Sequence, residues 1–141
     1  EPVWVAEDSI LLSQMIRTAL TKAGYTNLRM FQNGAELWEA LQACKDGGGP
    51  TGQVSIVITD LEMPQMDGHR LTKLIKSSRE DKELQAIPVI IFSSLITEEM
   101  RRKGKEVGAD EQLSKPEIGH LIGIVDHLLE RSRRKREAGQ A

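Results

Sequence analysis

A single α/β domain wound on a parallel sheet is predicted by three features of this chain. Short, largely β-branched apolar runs alternate with segments of helical periodicity. The runs read as strands buried on both faces, the pattern that right-handed strand-helix-strand crossovers produce in a doubly wound parallel sheet. A length of 141 residues with 39% hydrophobic content suits one core and is too short for two good ones.

The elements follow in order. "VWVA" (Val3 to Ala6) is the first strand, and Leu12, Met15, Ile16, Ala19, Leu20 and Ala23 recur at helical spacing behind it, with Gly24 where a helix end favours a left-handed residue. "LRMF" (Leu28 to Phe31) is the second strand, and "AELWEALQAC" the second helix. "VSIVIT" (Val54 to Thr59) gives the third strand, and Leu71, Leu74 and Ile75 mark the third helix. "VIIFS" (Val89 to Ser93) is the fourth strand, followed by the polar, exposed helix "TEEMRRKGKEV". "EQLS" (Glu111 to Ser114) is a weak fifth strand, and Leu121, Ile124, Val125, Leu128 and Leu129 give the last helix its apolar stripe. The domain is expected to span residues 1–131.

Two stretches fall outside this rhythm. "KDGGGPTGQ" (Lys45 to Gln53) reads as a mobile Gly-rich loop. The basic segment 132–141 reads as a disordered, solvated helix end whose cations suit the helix dipole, in preference to a binding patch for anions. A net charge of −2 gives no basic excess to suggest nucleic acid, and no run of about 18 apolar residues suggests a membrane span. The lone Cys44 fits a reducing, cytoplasmic setting. Without an initiator Met, and starting two residues before its first strand, the chain is expected to be a fragment of a longer protein.

In open α/β sheets the functional crevice lies beyond the carboxyl ends of the strands. Glu7 and Asp8 follow the first strand, Asp60 closes the third, Ser93 ends the fourth and Lys115 follows the fifth. Asp8 or Ser9 taken alone could equally be a helix N-cap. Three converging carboxylates would repel one another unless a cation lay between them, and Mg²⁺ suits an all-oxygen donor set combined with phosphate oxygens. Such equipment points to phosphoryl transfer onto a carboxylate. Asp60 would be the nucleophile, Lys115 and the metal would offset phosphoryl charge, and the Ser93 hydroxyl would donate to a phosphoryl oxygen. An ionised carboxylate needs no general base. His69, His120 and His127 are therefore assigned to the surface. A phosphohydrolase of the haloacid dehalogenase type is disfavoured, since it wants an Asp where Glu62 stands and a cap domain for which there is no length.

The acidic pair "ED", the segment "DLEMPQMDG" from Asp60, the hydroxyl after "IPVIIF" and the "KP" at Lys115 together resemble the receiver domain of two-component response regulators, from Val3 to about Leu129. That resemblance implies a CheY-like, flavodoxin-like fold with strand order 2-1-3-4-5 and five helices. It also implies Asp60 as phosphoacceptor, Glu7 and Asp8 as metal-binding acids, the main-chain carbonyl of Glu62 as a further metal ligand, and signalling without turnover of an outside substrate. The bond between Lys115 and Pro116 is often cis in that family. "MPQMDGHRLTKLIK", "IPVIIFSSLITEEMRRKG" and "VGADEQLSKPEI" look most like the C-terminal receiver domain of CheV-type chemotaxis coupling proteins. This implies a CheA-type histidine kinase as phosphodonor, a CheW-like coupling domain upstream, and contact with chemoreceptors through the parent protein. One departure stands out: many receivers carry Tyr or Phe where this chain has Gln112, whose amide is expected to bond solvent as readily as protein and to follow the switch weakly.

Overall fold

The computed structural model describes residues 1–46, 54–78, 82–115 and 117–140. Five strands, β1 (Val3–Ala6), β2 (Leu28–Phe31), β3 (Ile56–Thr59), β4 (Val89–Ser93) and β5 (Glu111–Ser114), form one sheet of order β2-β1-β3-β4-β5. All four pairings are parallel. The register sets Ala6 beside Thr59 and Ser93 beside Ser114, so the strand ends that carry the predicted acids, hydroxyl and lysine finish along one edge. Between β1 and β3 the winding reverses direction, and a crevice opens there.

Among the described residues six helices cover the sheet: α1 (Ile10–Lys22), α2 (Gly34–Asp46), α3 (Gly68–Lys76), α4 (Lys82–Gln85), α5 (Glu98–Glu106) and α6 (Ile118–Gln140). Successive strand residues point to opposite faces and divide the core in two. Val3, Val5, Ile56, Ile58, Ile90 and Phe92 pack against Ile16 and Leu20 of α1 and Leu121, Val125, Leu128 and Leu129 of α6. Trp4, Ala6, Val57 and Val89 face Leu37 and Leu41 of α2, Leu71 and Ile75 of α3 and Leu84 of α4. Side chains buried on both faces explain why the strands read as unbroken apolar runs.

The sixth helix beyond the expected five is α4, a single turn too short to show periodicity in the sequence. The last helix is a second correction. The basic segment expected to be disordered from residue 132 continues α6 as far as Gln140. Arg, Lys, Glu and Ala are good helix formers, and Glu130 pairs with Arg134 one turn on, at 3.2 Å. Most of the Gly-rich loop expected over Lys45 to Gln53 lies outside the described residues, as does Pro116; Lys45 and Asp46 are the last residues of α2.

At the edge remote from the crevice, Lys76 of α3 donates to the Ile87 carbonyl at 2.6 Å and pairs with Asp110 at 2.9 Å. Asp110 accepts in turn from the Val89 amide at 2.8 Å. This network pins the start of β4 to the end of α3, leaving the opposite edge to present the site. No helix among the described residues is long and apolar enough to cross a membrane.

Candidate phosphoacceptor site

The site is assembled from the loops that follow β1, β3 and β5. Parallel pairing carries past the strand ends: the Asp60 amide donates to the Ala6 carbonyl and the Glu7 amide to the Phe31 carbonyl, each at 3.0 Å. Glu7 and Asp60 are buried, and Asp8 is exposed at the rim. One carboxylate oxygen from each of the three lies within 4.8 Å of the others. Lys115 reaches in from the end of β5 and donates to Glu7 Oε1 at 2.6 Å and to Asp60 Oδ2 at 3.1 Å. Its backbone amide donates to the Ser93 carbonyl at 2.8 Å, which ties the lysine to the end of β4.

The electrostatics are those of an anionic pocket in which Lys115 is the one paired cation among the described residues. Burial pushes the Glu7 carboxyl above its ordinary range, and the nearby Asp60 charge adds to this, whereas the bonds from Lys115 and from the Ser9 amide pull the other way. The net result is upward: one ammonium does not fully offset the desolvation of this acid. The oxygen-only donor set and the close spacing of the carboxylates fit a hard divalent cation such as Mg²⁺. Asp60 Oδ1 accepts from the Leu61 amide at 2.7 Å, so the side chain is held by its own loop as well as by Lys115.

Ser9 proves to be the N-cap of α1, accepting from the Leu12 amide at 3.3 Å, and Asp8 is left free of that duty to face the crevice. Ser93 sits at the end of β4, buried to 3% exposure. Glu62 is exposed just after β3 and lines a groove with Asp8, Met63, Asp67, Met100 and Lys103.

Three contacts escaped the sequence reading. Gly68, the first residue of α3, packs so tightly on β3 that a Cβ there would lie 2.1 Å from the Asp60 carbonyl oxygen. His69, assigned to the surface with the other two histidines, is instead 8% exposed and bonded through Nε2 to the Met100 carbonyl at 3.1 Å; His120 and His127 are exposed. The available signal was spacing, since His69 precedes Thr72 and Thr72 precedes Ile75 at helical intervals on the buried side of α3. Gln112, expected to bond solvent as readily as protein, donates from Nε2 to the Arg101 carbonyl at 2.9 Å. Glycine at 104 in α5 leaves room for that amide; a Cβ would meet it at 2.2 Å.

Comparison with known proteins agrees with this geometry. Residues 3–126 match the family described as response regulator receiver domain. The DNA-binding transcriptional regulator NtrC of Rhizobium meliloti (strain 1021) is 31% identical over 134 residues, covering 94% of this chain and 25% of the relative. Chemotaxis protein CheY1 of Helicobacter pylori (strain ATCC 700392 / 26695) is 31% identical over 90 residues, 64% of each chain. This chain thus spans only part of those relatives. Among solved structures, the signal receiver domain of a signal transduction histidine kinase from Syntrophus aciditrophicus superposes with a TM-score of 0.77 at 27% identity, covering 92% of this chain and 89% of that one. With the family match running from residue 3 to residue 126 and the same fold along nearly the whole length, the chain belongs to the receiver domains of two-component response regulators.

Proposed function

We propose that Asp60 accepts a phosphoryl group from the phosphohistidine of a CheA-type histidine kinase. One oxygen of the Asp60 carboxylate forms the new P–O bond as the P–N bond to the imidazole breaks. The electron pair leaves with the imidazole nitrogen, and the product is an acyl phosphate. The observation that carries this reading is the convergence of Glu7, Asp8 and Asp60 with Lys115 at the carboxyl ends of parallel strands.

Each residue has a task that its position supports. Lys115 already bonds Asp60 and would shift to the arriving phosphoryl oxygens, where its charge is needed most. The Ser93 hydroxyl, at the end of β4, would donate to a further oxygen. Glu7, Asp8, Asp60 and the main-chain carbonyl of Glu62 would hold Mg²⁺, which when bound neutralises phosphoryl charge. Glu7, bonded to Lys115, keeps the ammonium aimed across the pocket. The domain modifies itself and sheds its phosphate, without turnover of an outside substrate.

At the level of the parent protein, the stretches 63–76, 87–104 and 107–118 support a CheV-type chemotaxis coupling protein. In that reading a CheW-like domain lies upstream, chemoreceptors are reached through the parent, and the protein works in the cytoplasm. Another two-component regulator is the second reading, favoured by the likeness to NtrC over 94% of this chain.

Incubation with a phosphorylated CheA-type kinase and Mg²⁺ tests the proposal. Label should pass to the wild-type chain and not to Asp60→Asn, whose amide is a poor nucleophile. Equal labelling of the two would overturn the assignment.

A further inference from the structure

α5 is the least embedded long element of the fold. Of its nine residues only Gly104 is buried, and its composition is dominated by charge. Apolar packing therefore does little to fix its position, and its place is set by polar bonds. Thr97 caps its start, accepting from the Met100 amide at 3.1 Å. Beyond that cap, two side chains from different elements reach adjacent carbonyls of the helix. His69 Nε2, from the first turn of α3, lies 3.1 Å from the Met100 carbonyl oxygen, and Gln112 Nε2, from β5, lies 2.9 Å from the Arg101 carbonyl oxygen. A carbonyl can only accept, so both nitrogens carry the hydrogen.

We propose that His69 and Gln112 form a two-point clasp that positions α5, and that through His69 the clasp ties this helix to the strand end bearing Asp60. Neither residue touches the acceptor, so both are positioning residues. The path on the α3 side is short. Gly68 donates its amide to the Leu61 carbonyl at 2.9 Å and leaves no room for a Cβ against the Asp60 carbonyl. His69 is the next residue, so a displacement of the Asp60–Leu61 backbone is handed through Gly68 to the imidazole and on to Met100.

The β5 side has its own fixed parts. The Gln112 amide lies under Gly104, where any side chain would displace it, and its Oε1 is buried with no hydrogen-bond partner among the described residues. Turning the amide over would set that oxygen against the Arg101 carbonyl, so the donor orientation is the one available. The Arg101 guanidinium reaches back to the Gln112 carbonyl at 3.5 Å, a weak return contact. A helix held this way can change position by exchanging two hydrogen bonds, without disturbing an apolar core. This is the property required of a mobile wall beside the groove that Met100, Lys103 and Glu62 line.

Amide hydrogen exchange on the intact chain, without phosphodonor, tests the clasp separately from the reading of Asp60. The probes are the Gly104 and Lys105 amides, which within an α-helix share the carbonyls of Met100 and Arg101. His69→Phe and Gln112→Met keep side-chain bulk and remove the donor. Each should speed exchange at these amides about tenfold, the effect of about one hydrogen bond, while β4 amides stay at the wild-type rate. His69→Gln, whose amide nitrogen can replace Nε2, should restore slow exchange. That rescue separates a donor from a space-filling ring, and Gln112→Met still decides if His69→Phe does not fold.

A second arm follows amide chemical shifts on adding Mg²⁺ and beryllofluoride. In the double variant the response of residues 98–106 should fall below about half of the wild-type response, while that of Asp60 and Leu61 is unchanged. Wild-type exchange at Gly104 and Lys105 in both donor-less variants, or failure of His69→Gln to rescue, would overturn the clasp. A full α5 response in the double variant would overturn its link to Asp60. Absence of any wild-type response at Asp60 would count against the acceptor reading, leaving the exchange result to judge the clasp.

Discussion

Gly68→Ala is the substitution whose outcome the geometry fixes most tightly. The added Cβ would stand 2.1 Å from the Asp60 carbonyl oxygen, whereas ordinary contact begins at 3.4 Å, so α3 must withdraw from β3 by more than 1 Å. The obstacle is backbone and cannot swing aside. Forced overpacking of this kind costs about 1–3 kcal/mol. A backbone obstacle at 2.1 Å belongs at the upper end of that range, and alanine recovers up to about 1 kcal/mol through helix propensity and a less flexible unfolded chain, which leaves a net loss of about 2 kcal/mol. In urea unfolding, where m for a domain of this size is about 1–3 kcal/mol/M, the midpoint should fall by about 1 M at unchanged m. Gly123 supplies the contrast: beyond its own chain neighbours and helix backbone, no atom of the described residues lies within 4 Å of its Cβ position on α6, so Gly123→Ala should raise stability by about 0.5–1 kcal/mol. Because the clash falls on the carbonyl of Asp60, the proposed acceptor, the initial rate of labelling by acetyl phosphate should also fall, by about 100-fold for a displacement near 1 Å. Wild-type stability and rate in Gly68→Ala would refute the close approach of α3 to the end of β3.

The remaining predictions concern charge. The Glu7 carboxyl titrates higher in the folded chain than in the unfolded one, so the folded state binds the extra proton. Its favourable contribution is complete below the unfolded value and lost as pH rises through the folded one; without Mg²⁺, Glu7→Gln should flatten the fall in stability just above pH 4.5, and an unchanged profile would contradict the burial. Lys115→Met removes the cation paired with buried Glu7 and Asp60, and should cost about 3 kcal/mol near neutral pH without Mg²⁺, with recovery on acidification; urea midpoints across pH check this. Asp8→Ala, at the exposed rim, should leave stability within about 0.5 kcal/mol while weakening Mg²⁺ affinity and labelling together; equal Mg²⁺ titrations for variant and wild type would place the ion elsewhere.

The strands and the acids were legible for the same reason: a parallel sheet buries both faces, so its strands are apolar throughout and polar residues gather where they end. Ala6 is followed by Glu7 and Thr59 by Asp60, and pairing of Ala6 with Thr59 is enough to bring the two acids together. Contacts that depend on close approach between elements left no such trace. Gly68 reads as a turn residue until α3 is seated on the Asp60 carbonyl. Gln112 sits in a strand with little apolar pattern, and its partner is a backbone carbonyl of α5, a group every residue carries. The same holds for His69 and Met100. The turn Lys82–Gln85 contributes one buried residue, Leu84, and a single apolar position has no period. In α6 the stripe ends at Leu129 although the helix continues, because beyond that point it is sustained by helix propensity and exposed ion pairs, with no buried side chain among the described residues to mark it.

The central claim is that Asp60 carries the phosphoryl group, and chemical mapping of the modified residue tests it most directly. After reaction with acetyl phosphate and Mg²⁺, borohydride reduces an aspartyl phosphate to homoserine, which peptide mass spectrometry places in the chain. Homoserine should appear at position 60 alone, and both it and the hydroxylamine-labile phosphate should be absent when Mg²⁺ is withheld. Homoserine at Asp8 or Asp67 with position 60 unmodified would contradict the account.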